Sequence, residues 1–158
     1  MARTRGSIEL NDAVHPQLAT PVDVPSWLEL VREVEPLFGR MPDFEATLVT
    51  KIEERDAFCV RSETQVLGGM LLGGTREHGW IRWLAVRASA RGQGIGQRLV
   101  ETALEHMSAA NTISLDTFRE ENVPGRPARR LYVRLGFVPG PLIEAQGAPR
   151  QRFDWVRG

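Results

Sequence analysis

Val86-Arg87-Ala88-Ser89-Ala90-Arg91-Gly92-Gln93-Gly94-Ile95-Gly96-Gln97-Arg98-Leu99-Val100 decides how the chain is read. An apolar run, Trp80 to Val86, leads into it. Beyond it Ile95, Leu99, Ala103 and Met107 recur every four residues, with Val100 and Leu104 beside them. That period makes a helix with one apolar face. Gly92, Gly94 and Gly96 sit between strand and helix. The start of a helix carries backbone N–H groups with no internal partner, and its dipole favours negative charge. Glycines let that backbone close around a phosphate because no Cβ intervenes. The stretch therefore reads as a pyrophosphate cradle.

Two common phosphate-binding patterns do not fit. The dinucleotide fingerprint needs a third glycine at the sixth position, which from Gly92 is Gln97. The P-loop needs Gly-Lys-Ser/Thr, and Lys51 is the only lysine in the chain. Arg91-x-x-Gly94-x-Gly96 instead resembles the acetyl-CoA loop of the GNAT superfamily of N-acyltransferases. A second segment, Ala128-Arg129-Arg130-Leu131-Tyr132-Val133-Arg134-Leu135-Gly136-Phe137, is similar to the other signature of that superfamily, Ala-x-x-Leu-Tyr-x-x-x-Gly-Phe. Read from its residues alone, it is a helix opened by Pro127, striped with Ala128, Leu131 and Leu135, and stopped by Gly136 as a left-handed cap.

The rest of the chain is compatible with one such domain. Its 158 residues suffice for a single core, here expected over 16–158, with 1–15 as an extension in which Ile8 and Leu10 are apolar. With 42% apolar and 25% charged residues the composition is that of a soluble globular protein. A formal net charge of zero gives no overall attraction to nucleic acid or to anionic membranes. Cys59 is the only cysteine, so no internal disulfide forms, and its run Ala57 to Val60 reads as a buried strand. No apolar run reaches the length of a membrane span, and the first residues lack the apolar core of a secretion signal. A cytoplasmic protein is expected.

In order, the chain reads as a short strand at Gln17–Thr20, a helix after Asp23 or Ser26 ending at Gly39, and a second helix from Asp43 to about Arg55. Strands follow at 57–61, 66–72 and 80–86. The long helix, a strand at 113–118, a polar loop and the helix 127–135 come next. Phe137-Val138 then pairs with Arg152–Val156 around a Pro- and Gly-rich segment, 139–149. Gly68 and Gly69 are expected to weaken pairing or invite bulges. The fold class is a mixed α/β sheet, mostly antiparallel, with helices on both faces. The same order belongs to the GNAT fold.

The resemblance implies an N-acetyltransferase that moves an acetyl group from acetyl-CoA to a primary amine in a ternary complex, without a metal. It implies that backbone groups of Leu84, Ala85 and Val86 bond the pantetheine arm. Backbone N–H groups of Arg91, Gly92, Gln93, Gly94, Ile95, Gly96 and Gln97 would hold the pyrophosphate, with charge added by Arg91 and Arg98. Tyr132 matches the tyrosine that protonates the departing sulfur; the alternative is a packed helix tyrosine. Many members carry a carboxylate base on the strand entering the loop, and His78 to Val86 has none. Glu33, Glu35, Asp43, Glu45, Asp116 or a water chain remain as candidates. Asn122 is three residues out of place for the asparagine of the family. Two other functions stay open: a non-catalytic acyl-CoA sensor, and an acyltransferase for longer chains lined by Trp80, Trp83 and Met70. The acceptor is a small-molecule or peptide amine, and the segment around Trp155 suits either a homodimer edge or closure of the core.

Overall fold

The computed structural model describes residues 15–145 and 147–158; Ile8 and Leu10 lie outside them. The elements are β1 (Gln17–Leu18), α1 (Val24–Phe38), α2 (Phe44–Glu53), β2 (Ala57–Ser62), β3 (Gln65–Gly74), β4 (His78–Val86), α3 (Ile95–His106), β5 (Thr112–Thr117), α4 (Arg126–Arg134), β6 (Val138–Ala145) and β7 (Ala148–Val156). One seven-stranded sheet has the order β1-β2-β3-β4-β5-β7-β6. Every pair is antiparallel except β4 with β5. The α3 crossover makes that pair parallel, because parallel neighbours need a long connection. No helix among the described residues is long and apolar enough to cross a membrane.

Two clusters pack the two faces. Ile95, Leu99, Val100 and Ala103 of α3 join Tyr132 of α4, Met70, Ile81, Leu115, Phe137 and Phe153 on one face. Trp27, Leu30, Val31 and Val34 of α1 join Leu48 of α2, Cys59, Leu71, Trp83 and Ala85 on the other. Gly68 and Gly69 are where the helices come closest. A Cβ on Gly68 would lie 2.8 Å from Ile95 Cγ2, and one on Gly69 only 2.5 Å from the Trp27 ring. The register shifts expected at these glycines fall elsewhere, between Val60 and Arg61 and between Leu71 and Leu72. Glycine here admits α3 on one face and α1 on the other.

The shift at Leu71/Leu72 shapes β4. Leu71 pairs with Trp83 and Leu72 with Ile81, leaving Arg82 as the extra residue. Residues two apart in a strand normally share a face. Across this bulge they do not: Ile81 packs under α3 and Trp83 under α1.

The Pro- and Gly-rich segment departs from its reading as a loop. Pro139, Gly140 and Pro141 lie within β6, with a register shift between Pro139 and Leu142. β6 is the sheet's edge, where a missing N–H costs no ladder bond. Gly136 stops α4 at φ +101°, and Phe137 turns back to donate to the Tyr132 carbonyl at 3.0 Å.

Candidate active site

β4 and β5 pair over only four positions, His78↔Thr112 to Ile81↔Leu115. Arg82–Val86 continue without a β5 partner, while β5 stays paired with β7 as far as Thr117. The free edge of β4 has a definite polarity. Arg87 N–H donates to the Leu67 carbonyl at 2.7 Å, and Val86 faces Gly68. In an antiparallel ladder that makes Val86 a non-hydrogen-bonded position, so its N–H and C=O point away from β3. The same holds two residues back, at Leu84. Ala85 is turned toward β3. Of the three residues singled out for the pantetheine arm, two therefore offer backbone groups to the divergence and the third does not.

The glycine loop begins directly beyond. Gly92 and Gly94 hold φ +80° and +79°, the left-handed region that glycine alone enters freely. Gly94 caps α3 with no side-chain hydrogen bond, and the first helical bond is Arg98 N–H to the Gly94 carbonyl at 3.1 Å. The N–H groups of Ile95, Gly96 and Gln97 precede that bond and have no helical acceptor. The Ile95 side chain is core, so only its backbone serves the loop. Gly96 faces α4: a Cβ there would lie 3.0 Å from Leu131 Cδ2 and 3.9 Å from Val86 Cγ2. The loop, the end of β4 and α4 thus meet at one point. Arg91, Gln93 and Arg98 are exposed, and Gln97 leans on Glu101 at 3.4 Å.

The carboxylates sort by what already holds them. Glu33 Oε2 accepts from Ala88 N–H at 2.7 Å, and its Oε1 lies 4.0 Å from the Arg87 guanidinium. Arg87 is itself buried, donating to the Val66 and Ser26 carbonyls. Glu33 is consequently a clasp between α1 and the start of the loop, and is spent as a base. Glu35, Asp43 and Glu45 are exposed on α1, on α2 or at its cap. Asp116 stands on β5 just past the last β4 pair and is held by Arg152 at 2.9 and 3.2 Å. Asn122 Oδ1 accepts from Gly125 N–H at 3.0 Å, capping the turn before α4 rather than reaching the loop.

Tyr132 is 6% exposed, set edge-on to Phe137 and Phe153. Burial pushes its hydroxyl well above the ordinary tyrosine range, with no hydrogen bond contributing. At neutral pH it keeps its proton. His78 belongs to a separate cluster. It opens β4, stacks on Trp80, and its Nε2 lies 2.7 Å from Ser114 Oγ, which donates to Asp154 at 2.5 Å. With its one proton spent on Asp154, Ser114 can only accept from His78. The serine is the middle member, so the trio is not a nucleophilic triad.

An aromatic group faces the divergence from the α1 side. Phe38, the last residue of α1, is set edge-on to Trp83 of β4 at 5.7 Å and to Phe118, just after β5, at 5.5 Å. Phe44 lies 4.9 Å from Trp83. Arg150 of β7 donates to the Phe38 carbonyl at 3.0 Å and lies over the Phe118 ring at 5.1 Å. Trp80, Trp83 and Met70 do not form the common acyl-chain lining considered from sequence. Met70 is in the α3-side core, Trp83 in the α1-side cluster, and Trp80 lies under Arg82 and Arg152. Cys59 is buried and its thiol is pushed up to about 12, chiefly by burial, leaving no thiolate at neutral pH.

A parallel pair that parts, an uncapped glycine-led helix start beside it and a tyrosine helix on the same face define an acyl-CoA-type transferase fold. The chain belongs to the GNAT acetyltransferase family, whose description matches residues 24–137. Among solved structures it is similar to Ard1 from Thermoplasma volcanium, with a TM-score of 0.75 and 15% identity over 89% of this chain and 95% of that one. It is also similar to an aminoglycoside 6'-N-acetyltransferase complexed with coenzyme A, with a TM-score of 0.73 and 15% identity over 89% and 96%. A chain of the NatC complex bound to Gag peptide and CoA matches with a TM-score of 0.71 and 18% identity over 90% and 98%. No curated protein sequence matches the chain.

Proposed function

We propose that the protein is a cytoplasmic N-acetyltransferase that takes acetyl-CoA and a primary amine, peptide or small molecule, and joins them in a ternary complex. The observation that carries this reading is the conjunction at Gly96. There the free β4 edge at Leu84 and Val86, the unpartnered N–H groups of Ile95 to Gln97, and α4 converge. The helix start, with Arg91 and Arg98 exposed beside it, suits a pyrophosphate. The outward N–H of Leu84 and Val86 suits the amide arm and the thioester oxygen.

The chemistry balances as R-NH2 + CH3CO-S-CoA → R-NH-COCH3 + HS-CoA. A C–N bond forms and a C–S bond breaks. The Val86 N–H takes up the charge that develops on the carbonyl oxygen. The amine's surplus proton leaves through water, since Asp116, the candidate carboxylate on the wall of the divergence, is held by Arg152. Tyr132 donates a hydrogen bond to the departing sulfur, and the proton that the amine gave to water ends on the thiolate. A free thiol titrates near ~8.5, and Tyr132 holds its proton more tightly than that. The tyrosine therefore acts as a hydrogen-bond donor while the C–S bond breaks, in a site where burial raises the affinity of sulfur for protons as well.

Calorimetry with CoA, followed by release of free thiol from acetyl-CoA across an amine panel, tests the proposal. Saturable CoA binding with amine-dependent thiol release is expected. Tight binding with no release from any amine would favour the sensor reading; absence of binding would remove both.

A further inference from the structure

Resting on the transferase reading above, an acceptor has one side from which to reach the β4–β5 divergence. The α3 side is taken by the proposed cofactor arm along Leu84 and Val86, with Tyr132 in the core on that face. The other side is the aromatic group under α1. Phe38 is its keystone, since its ring touches both Trp83 on one diverging strand and Phe118 beyond the other. It also ends a helix whose last turn is loosened by Pro36, which offers no N–H, and is followed by Gly39 at φ +92°. Arginines lie against and beside this aromatic group. Arg150 lies over Phe118, and Arg119 donates to the Arg150 and Ile143 carbonyls beside it. Arg82 and Arg152 both cover Trp80. The carboxylate among them, Asp116, is already paired with Arg152.

We propose that the acceptor is a singly charged primary amine carried on a compact apolar or aromatic group, and that Phe38 determines this specificity. An apolar wall of three rings binds the group next to the nitrogen by burial and edge-to-face contact. A polyamine or aminoglycoside would bring several further ammonium groups against the guanidinium groups of Arg119 and Arg150, and like charges held together oppose binding.

Thiol release from acetyl-CoA by the full chain, with 2-phenylethylamine and with spermidine as probes, tests this. The expected kcat/KM ratio favours 2-phenylethylamine by at least about tenfold, the scale at which an apolar pocket discriminates. In Phe38→Ala the same ratio, taken on one preparation, falls at least about fivefold through the KM for 2-phenylethylamine. Because both amines are read on the same preparation, loss of folded protein cancels. Spermidine used as well as 2-phenylethylamine, or a ratio unchanged in Phe38→Ala, would overturn the inference while leaving the transferase intact. Thiol release with neither probe nor with any amine of the wider panel would overturn the transferase reading, and this inference with it.

Discussion

Replacing Gly94 by alanine separates the cradle from a mere strand-to-helix turn. Gly94 holds φ +79° and ψ +13°. Holding that conformation costs an L-residue with a Cβ about 1–2 kcal/mol. No atom lies within 4 Å of where the Cβ would stand, so no clash adds to the cost. The penalty has two outlets. If the loop keeps its shape in Gly94→Ala, the whole 1–2 kcal/mol appears as lost folding stability. If the free protein instead relaxes to negative φ, the N–H groups of Ile95, Gly96 and Gln97 lose their common aim. Ligand must then restore it, and at 1.4 kcal/mol per tenfold the same energy weakens the CoA Kd by about 5- to 30-fold. Urea unfolding and calorimetry on the one variant read both outlets, and their sum is expected to be at least about 1 kcal/mol. Stability and CoA affinity both unchanged would refute the argument, because the loop would then neither need its glycine nor meet the phosphates.

Tyr132→Phe keeps the ring between Phe137 and Phe153 and removes the proton, so turnover with a working amine should fall about 10²-fold with CoA affinity unchanged; turnover within twofold of wild type makes the tyrosine structural. Glu33→Ala removes the acceptor of Ala88 N–H and should weaken CoA binding by about three- to tenfold, the worth of one partly exposed hydrogen bond, with no change in amine preference; unaltered binding would mean that the loop holds itself. Asp23 gives a pH test: burial alone would raise its pKa, but hydrogen bonds from Arg61 and Thr20 N–H, with the charge of Arg61, hold it below the usual 3.8. A carboxyl depressed in the folded state stabilises fully above its unfolded pKa and loses that stabilisation as pH falls through the folded value. The stability gap between wild type and Asp23→Asn should therefore shrink as pH drops from about 5 toward 2; a gap constant across that range contradicts the pairing.

The elements legible in sequence were those whose signals are local. The α3 period, the Gly136 stop and the two glycine-bearing signatures each fit within about a dozen residues, and each appears where expected. The edge strand β6 did not read as a strand, because Pro139 and Pro141 argue against one unless the sheet's outer neighbour is known to be missing. Register was invisible for a similar reason. The extra residue, Arg82, is marked by no glycine, and it is set by the different demands of Ile81 under α3 and Trp83 under α1. Glycines 68 and 69 drew attention as weak points of a strand. Their use depends on Ile95 and Trp27, which sequence does not place beside them.

The two halves of the candidate site differ in the same way. The side that would meet CoA is nearly contiguous: Leu84 to Arg98 supply the strand edge and the loop, and only α4 comes from elsewhere. One segment carries enough of the chemistry to be read in a single pass. The side proposed for the acceptor is assembled from four separate stretches, around Phe38, Trp83, Phe118 and Arg150, and its tie from Arg150 to Phe38 joins residues 112 positions apart. No motif can span that distance, and each residue alone reads as core or as surface charge. Substrates shared by a family leave a local imprint because they meet a local backbone. An acceptor peculiar to one member meets only side chains brought together by folding, which is why the order of residues does not disclose it.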